Sequence, residues 1–180
     1  MLLNYVLLRQ NPHNVGEWLR RAELYLKLDQ TLQAIASLEE SVKVVHSRQA
    51  INGSPAELFK TMATMYEERL KDVGKARAVY ERVCCIKPEF HFTASDDLAQ
   101  CYTVWVEMEL RVERWDEAHS IARRSVAHIP ASSSTKVTRG LSKSMRLWNL
   151  LLDLEESLGT MQTTSWICNL SCECRQWLPD

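Results

Sequence analysis

Cys168, Cys172 and Cys174 stand within seven residues near the end of a 180-residue chain, three of its six cysteines. Thiolates so close together are soft donors for zinc, but C-x3-C-x-C lacks the second pair of ligands that a tetrahedral site needs. The five histidines, His13, His46, His91, His119 and His128, fall in different segments, and none pairs with a cysteine or carboxylate at ligand spacing. The cysteines therefore read as part of an irregular tail, and neither a metal nor a cofactor is expected. Glu67-Glu68 and Glu155-Glu156 offer paired carboxylates, yet acid–base work would need a cleft around them. They sit near helix ends, where at least one member of each pair should face solvent. No glycine-rich phosphate loop, nucleophile elbow or kinase signature occurs. No catalytic residue is assigned, and no small-molecule substrate is implied.

Positive charge offers a different chemistry. Lys136, Arg139, Lys143 and Arg146 lie in a stretch from Pro130 to Leu152 that holds no acidic residue, a candidate weak RNA or phosphate patch. Arg20-Arg21 and Arg123-Arg124 add local charge. Phosphate-driven affinity needs a concentrated basic surface, however, and the chain as a whole carries a net charge of −1. The stretch reads better as a solvated loop, with the Ser132-Ser133-Ser134-Thr135 run beside it, and RNA contact is expected to be indirect or weak. Trp105 and Trp115 stand in or beside apolar stripes, where packing is the expected use rather than base stacking.

The elements that carry these residues repeat. Ala34, Ala76 and Ala118 follow one another at 42 residues, and LQAIASLEESV, GKARAVYERVC and DEAHSIARRSV superimpose around them without a gap. Large aromatics at Trp18, Phe59, Tyr102 and Trp148 keep nearly the same step, with separations of 41, 43 and 46. Self-similarity at this period marks a repeat protein. Phe59, Met62, Ala63 and Tyr66 form an i, i+3, i+4, i+7 stripe, and Ala76, Val79, Tyr80 and Val83 form another, so each repeat reads as two helices, with Gly74 expected to end the turn between them. One hairpin cannot bury both faces, so the repeats must stack as an all-α solenoid. The alanine then marks where two helices cross closely, and the aromatic fills the wider space beside it.

Boundaries follow from breakers and caps. Residues 1–10 read as the second helix of a partial repeat that ends at Asn11-Pro12. Whole repeats are expected at about 11–46, 55–88 and 95–130, with first-repeat helices over 13–28 and 31–46. Pro88 and Pro130 close the second and third, Pro55 starts a helix after the Asn52-Gly53-Ser54 loop, and Ser95 is the expected N-cap before Asp96 and Asp97. A polar linker, Ala131 to Lys143, leads to a first helix over 144–158 that stops at Gly159. The second helix of that fourth repeat should place a small residue near Thr164, but the chain reads SWICNLSCECRQWLPD. Repeats are thus expected over 1–164 and a divergent tail over 165–180, as a frame change, an altered splice or an incomplete gene model would leave.

Composition suits a helical domain: 46% hydrophobic, 25% charged and only 5 glycines. One elongated domain is expected. No apolar run reaches membrane-spanning length, and MLLNYVLL lacks the basic start and cleavage site of a signal peptide. Six cysteines without a regular framework fit a reduced nuclear or cytosolic chain, with Cys101 as a small apolar filler inside a helix.

An aromatic in the first helix, A-R-A-V-Y-E-R-V in the second (Ala76 to Val83) and a trailing proline resemble the HAT (half-a-TPR) repeat of RNA-processing proteins. LLRQNPHNVGEW (7–18), DDLAQCYTVWVEMELR (96–111) and SMRLWNLLLDLEESLGT (144–160) are similar to the middle of Syf-type pre-mRNA splicing factors, the XPA-binding proteins of animals. That resemblance covers nearly all of residues 1–164. It implies a non-catalytic scaffold in the nucleus, holding other spliceosomal proteins of the Prp-nineteen-associated complex, with a link to transcription-coupled repair. It also implies an internal fragment that starts inside one repeat, holds three whole ones and stops in a fifth, leaving an apolar face open. A HAT scaffold of another RNA pathway, mRNA 3′-end formation or ribosomal RNA processing, would share the fold and differ in partners. An enzyme or metal protein has only the cysteine-rich tail to support it.

Overall fold

The computed structural model describes residues 2–85, 90–127 and 136–158, with only the backbone of Lys136, Thr138, Arg139 and Leu158. The described chain is helical apart from one isolated bridge between Asn14 and Ile51. It divides into two compact units, Met1–Thr93 and Ala94–Asp180, where the sequence suggested one domain. Repeats touch mainly their neighbours, so a boundary between two repeats costs few contacts.

In the first unit α1 (Leu2–Gln10) packs on α2 (Val15–Lys27), which forms a hairpin with α3 (Thr31–Val44). A single 3-10 turn, Ser47–Gln49, leads to the second hairpin, α4 (Pro55–Thr64) continued by a π-helical turn (Met65–Arg69), then α5 (Val73–Cys84). The second unit holds α6 (Ser95–Arg111) paired with α7 (Trp115–Val126), then α8 (Lys136–Leu141) and α9 (Met145–Leu158), which stacks on both α6 and α7. Caps start the helices where the sequence supplies them. Asn14 accepts from the Glu17 amide (3.2 Å), Ser54 from the Ala56 amide (3.1 Å) with Pro55 at the first helical position, and Asp72 from the Lys75 amide (3.0 Å).

The second helices bury one stripe at one register. Ala34, Ser37, Leu38 and Ser41 in α3, Ala76, Val79, Tyr80 and Val83 in α5, and Ala118, Ile121, Ala122 and Ser125 in α7 are all buried, and the three alanines are fully so at 0% exposure. The serines in this stripe return their hydroxyls to carbonyls three residues back (2.6 to 2.7 Å), which removes the penalty of a bare buried donor. The first helices bury Trp18, Phe59, Tyr102 and Trp148. Two of these do more than fill space. Trp18 Nε1 donates to the Pro12 carbonyl (2.8 Å) and Trp148 Nε1 to the Ser142 carbonyl (2.7 Å), each six residues back, so the ring fastens the chain entering its own helix.

The turns inside the hairpins repeat as strictly as the alanines. Asp29, Lys71 and Glu113, 42 residues apart, all adopt left-handed backbone, with φ of 56°, 54° and 60°. Around Asp29 and Glu113 the bonds are those of a Schellman end: Gln30 N–H to the Tyr25 carbonyl and Arg114 N–H to the Glu109 carbonyl, both 2.9 Å. From the aromatic to this residue is 11 positions in the first and third repeats (18 to 29, 102 to 113) but 12 in the second (59 to 71). The π turn at Met65–Arg69 takes up the extra residue, since a π turn is a one-residue insertion into an α-helix. The aromatic steps of 41 and 43 on either side of Phe59 are the trace of that insertion.

Several expectations need correction. Gly74 lies inside α5, and the turn before it is made by left-handed Lys71 and capped by Asp72. Ser95 is the first helical residue of α6; the cap position is Ala94, with no side-chain bond, and the acidic Asp96 and Asp97 supply the favourable charge there instead. The supposed linker 131–143 contains α8. Pro88, Pro130 and the tail beyond Leu158 lie outside the described residues.

Ala76→Trp is expected to overpack the α4–α5 hairpin and lower stability by about 1–3 kcal/mol, read from the urea midpoint; an unchanged midpoint would remove Ala76 from the crossing. Glu113→Gly relieves a left-handed, exposed glutamate and is expected to raise stability by about 0.5–1 kcal/mol in the same assay. A fall would show that the Glu113 side chain contributes more than its backbone costs.

Candidate functional site

Among the described residues the carboxylates that the sequence offers for chemistry are drawn into packing. In α9 Glu155 is buried at 1% exposure, seven residues beyond Trp148. One of its oxygens meets His119 Nε2 at 2.5 Å and Arg123 Nε and Nη2 at 3.0 and 2.5 Å, both from α7. Glu109 occupies the same register in α6, seven beyond Tyr102, and is also buried; Trp105 Nε1 donates to it at 3.2 Å. Glu156 and Glu68 face solvent, as expected of one member of each pair. Glu155 thereby fixes α9 against α7, whereas the Trp105–Glu109 bond lies within α6. In the first unit Arg82 of α5 reaches Glu39 of α3 through both guanidinium arms (2.7 and 3.1 Å), binding consecutive second helices.

The positive charges noted in the sequence are engaged as well. Arg20 pairs with Glu17 (3.2 Å), Arg21 lies over the Trp18 ring (5.5 Å), and Arg124 lies over Trp105 (5.0 Å). Of the candidate phosphate patch, Lys136 and Arg139 belong to α8, with side chains outside the described residues, while Lys143 and Arg146 are exposed in the turn before α9 and in its first residues. Lys143 and Arg146 line a cavity of about 390 Å³ together with Asp96 and Asp97 from the start of α6. The patch has no acidic residue in sequence; folding supplies two. A phosphate approaching it meets carboxylates as well as cations, which weakens the field that nucleic acid needs.

Trp105 is buried in α6, as its place in the stripe predicts, but Trp115 is 46% exposed at the first position of α7. Its neighbour Arg114 pairs instead with Glu117 one turn on. Cys101 is buried in α6, and burial, with Asp97 nearby, pushes its thiol well above the ordinary range, so it packs as an inert small hydrophobe. Lys75 holds the Asp72 carboxyl below its usual range, first through its backbone N–H and then its ammonium. No group of three or more His, Cys, Asp or Glu among the described residues could hold a metal ion, and Cys168, Cys172 and Cys174 lie outside them. No helix among the described residues is long and apolar enough to cross a membrane.

Residues 47–175 match the family described as the pre-mRNA-splicing factor Syf1/CRNKL1 C-terminal HAT repeat, and residues 1–45 match the pre-mRNA-splicing factor SYF1 middle HAT repeat. The likeness to the middle repeats thus holds for the first quarter of the chain, and the C-terminal match runs into the segment 165–180. A pre-mRNA-splicing factor syf1 homolog from Drosophila melanogaster is 37% identical over 168 residues, 91% of this chain and 18% of the relative. Human pre-mRNA-splicing factor SYF1 is 37% identical over 170 residues, 91% of this chain and 19% of its own length. Pre-mRNA-splicing factor cwf3 from Schizosaccharomyces pombe is 34% identical over 171 residues, 91% and 20% of the two chains. The chain spans about one fifth of the length of these curated relatives.

If the Glu155 cluster fixes α9 to α7, Glu155→Ala removes a charged acceptor and strands its donors. The expected loss is about 1.5–3 kcal/mol in chemical denaturation. Glu117→Ala, which breaks an exposed pair, should cost less than about 1 kcal/mol. Equal losses would contradict the assignment.

Proposed function

Because the chain belongs to the HAT-repeat family of Syf1-type pre-mRNA splicing factors, we propose that it is a non-catalytic protein–protein interaction scaffold acting in pre-mRNA splicing. The observation that carries this reading is the run of two consecutive family matches over hairpins in which one buried carboxylate, Glu155, joins α9 to α7 and the other, Glu109, is bonded within its own helix, neither lining a cleft. A scaffold needs a rigid frame with variable exposed residues, and repeat stacking supplies it. On this reading the chain works in the nucleus with other spliceosomal proteins of the Prp-nineteen-associated complex, with the link to transcription-coupled repair that the family resemblance carries. The repeats over 1–164 hold the interaction surface, the tail 165–180 is dispensable, and RNA is contacted indirectly or weakly. The neutralised surroundings of Lys143 and Arg146 support the last point.

The test is a pull-down from nuclear extract with the whole chain and with a version ending at Thr163, probed for splicing proteins and for U2, U5 and U6 small nuclear RNAs. Recovery of both by both versions is the expected result. Recovery of cleavage or nucleolar factors in their place would assign the scaffold to 3′-end formation or ribosomal RNA processing, and recovery of neither would overturn the proposal for this segment of the family.

A further inference from the structure

The loops between hairpins contain a site that neither the repeat pattern nor the family match assigns. After α3 the chain turns through Val45, His46 and the 3-10 turn Ser47–Gln49, and after α5 it returns alongside through Phe90, His91, Phe92 and Thr93. Ser47 and Thr93, 46 residues apart, clamp the two loops: their hydroxyls lie 2.9 Å apart, and the Thr93 backbone N–H donates to Ser47 Oγ at 3.0 Å. Phe90 and Phe92 are buried and meet Phe59 and each other edge-on, with ring centroids 5.0 to 5.9 Å apart. Two anchored rings flanking one residue turn His91 outward, where it is exposed. On the other loop, His46 is held by the His13 ring, which lies 5.3 Å from its own and accepts the His46 backbone N–H at Nδ1.

Between these loops is a cavity of about 470 Å³, lined by His46, Ser47, Arg48, His91, Phe92 and Thr93 among others. No carboxylate among the described residues lines it, and Arg48 has no ion-pair partner among them. One guanidinium, two imidazoles and a hydroxyl pair therefore border one cavity. Of the two hydroxyl protons one spans Ser47 and Thr93, which leaves the other to point at a ligand. Such a set matches a compact anion with several acceptor oxygens: a guanidinium fork takes two oxygens of a phosphate, and imidazole and hydroxyl donors take the third. A nucleic-acid strand presents a row of phosphates and would need a continued basic track. The net charge of −1 and the single locus favour one isolated anionic group.

We propose that the junction of residues 46–49 and 91–93 binds the phosphate of one phosphorylated serine or threonine on a partner protein. The proposal rests on the scaffold reading only in assigning the anion to a protein. The test is an amide NMR titration of the full 180-residue chain with a short Gly/Ala peptide carrying one phosphoserine, beside the same peptide with serine, with glutamate, and a single-stranded oligouridine. Shifts confined to the amides of Ser47, Arg48, Gln49 and Thr93, seen with phosphoserine alone, are the expected result. Arg48→Ala and His91→Ala, both at exposed side chains, should each weaken binding by about tenfold or more while the rest of the spectrum is kept. Equal binding of the glutamate peptide would reassign the site to carboxylates. Tighter binding of oligouridine, shifts elsewhere, no shifts, or indifference to both substitutions would overturn the proposal. None of these outcomes bears on recovery of splicing proteins in the pull-down.

Discussion

The burial of one methyl group at a fixed register is the constraint that each hairpin repeats. Ala34, Ala76 and Ala118 are wholly buried at one register, where close packing leaves a larger side chain no room without displacing its neighbours. The first helices bury a large ring at their own recurring position, Trp18, Phe59, Tyr102 and Trp148. A left-handed residue stands five positions before each alanine, closed by Schellman bonds at Asp29 and Glu113 and by the end of a π turn at Lys71, and each reverses the chain into the second helix. Methyl, ring and turn recur together in all three hairpins.

Polar residues within this frame serve the stacking. Glu109 and Glu155 sit at one register of the first helices but are satisfied differently, by an indole N–H of the same helix in one case and by an imidazole and a guanidinium of α7 in the other. Buried serines close onto their own helix, and Arg82 joins successive second helices through Glu39. A buried charge with a directional partner fixes which residue faces which, where an apolar contact would tolerate sliding. Charge that looks available for ligands in the sequence is largely used to set register.

The loops between hairpins are less constrained, and there function has room. A second helix must present its stripe at fixed positions, whereas the chain from one hairpin to the next needs only to span the gap. In the first unit two such loops are pinned side by side by Ser47, Thr93 and the phenylalanines, so residues with no role in the stripe acquire fixed positions.

The sequence by itself determined the helical hairpins, their period and the buried register, because a stripe of i, i+3, i+4 and i+7 has one physical reading and repeats three times. It also carried the family resemblance, through residues that pack. The unequal aromatic steps held the trace of the π turn, and the repeated polar positions 29, 71 and 113 held the trace of the left-handed turn, but neither announces its backbone: aspartate at 29 tolerates a positive φ, whereas lysine at 71 and glutamate at 113 give no such signature. Tertiary structure alone decided which charges are free. Asp96 and Asp97 lie 47 and 46 residues before Lys143 and yet share its cavity, Glu155 meets His119 and Arg123 across a helix interface, and Trp115 leaves the stripe for solvent. Coulomb and hydrogen-bond energies depend on distance in space, and the chain encodes that distance only through the packing of every hairpin between.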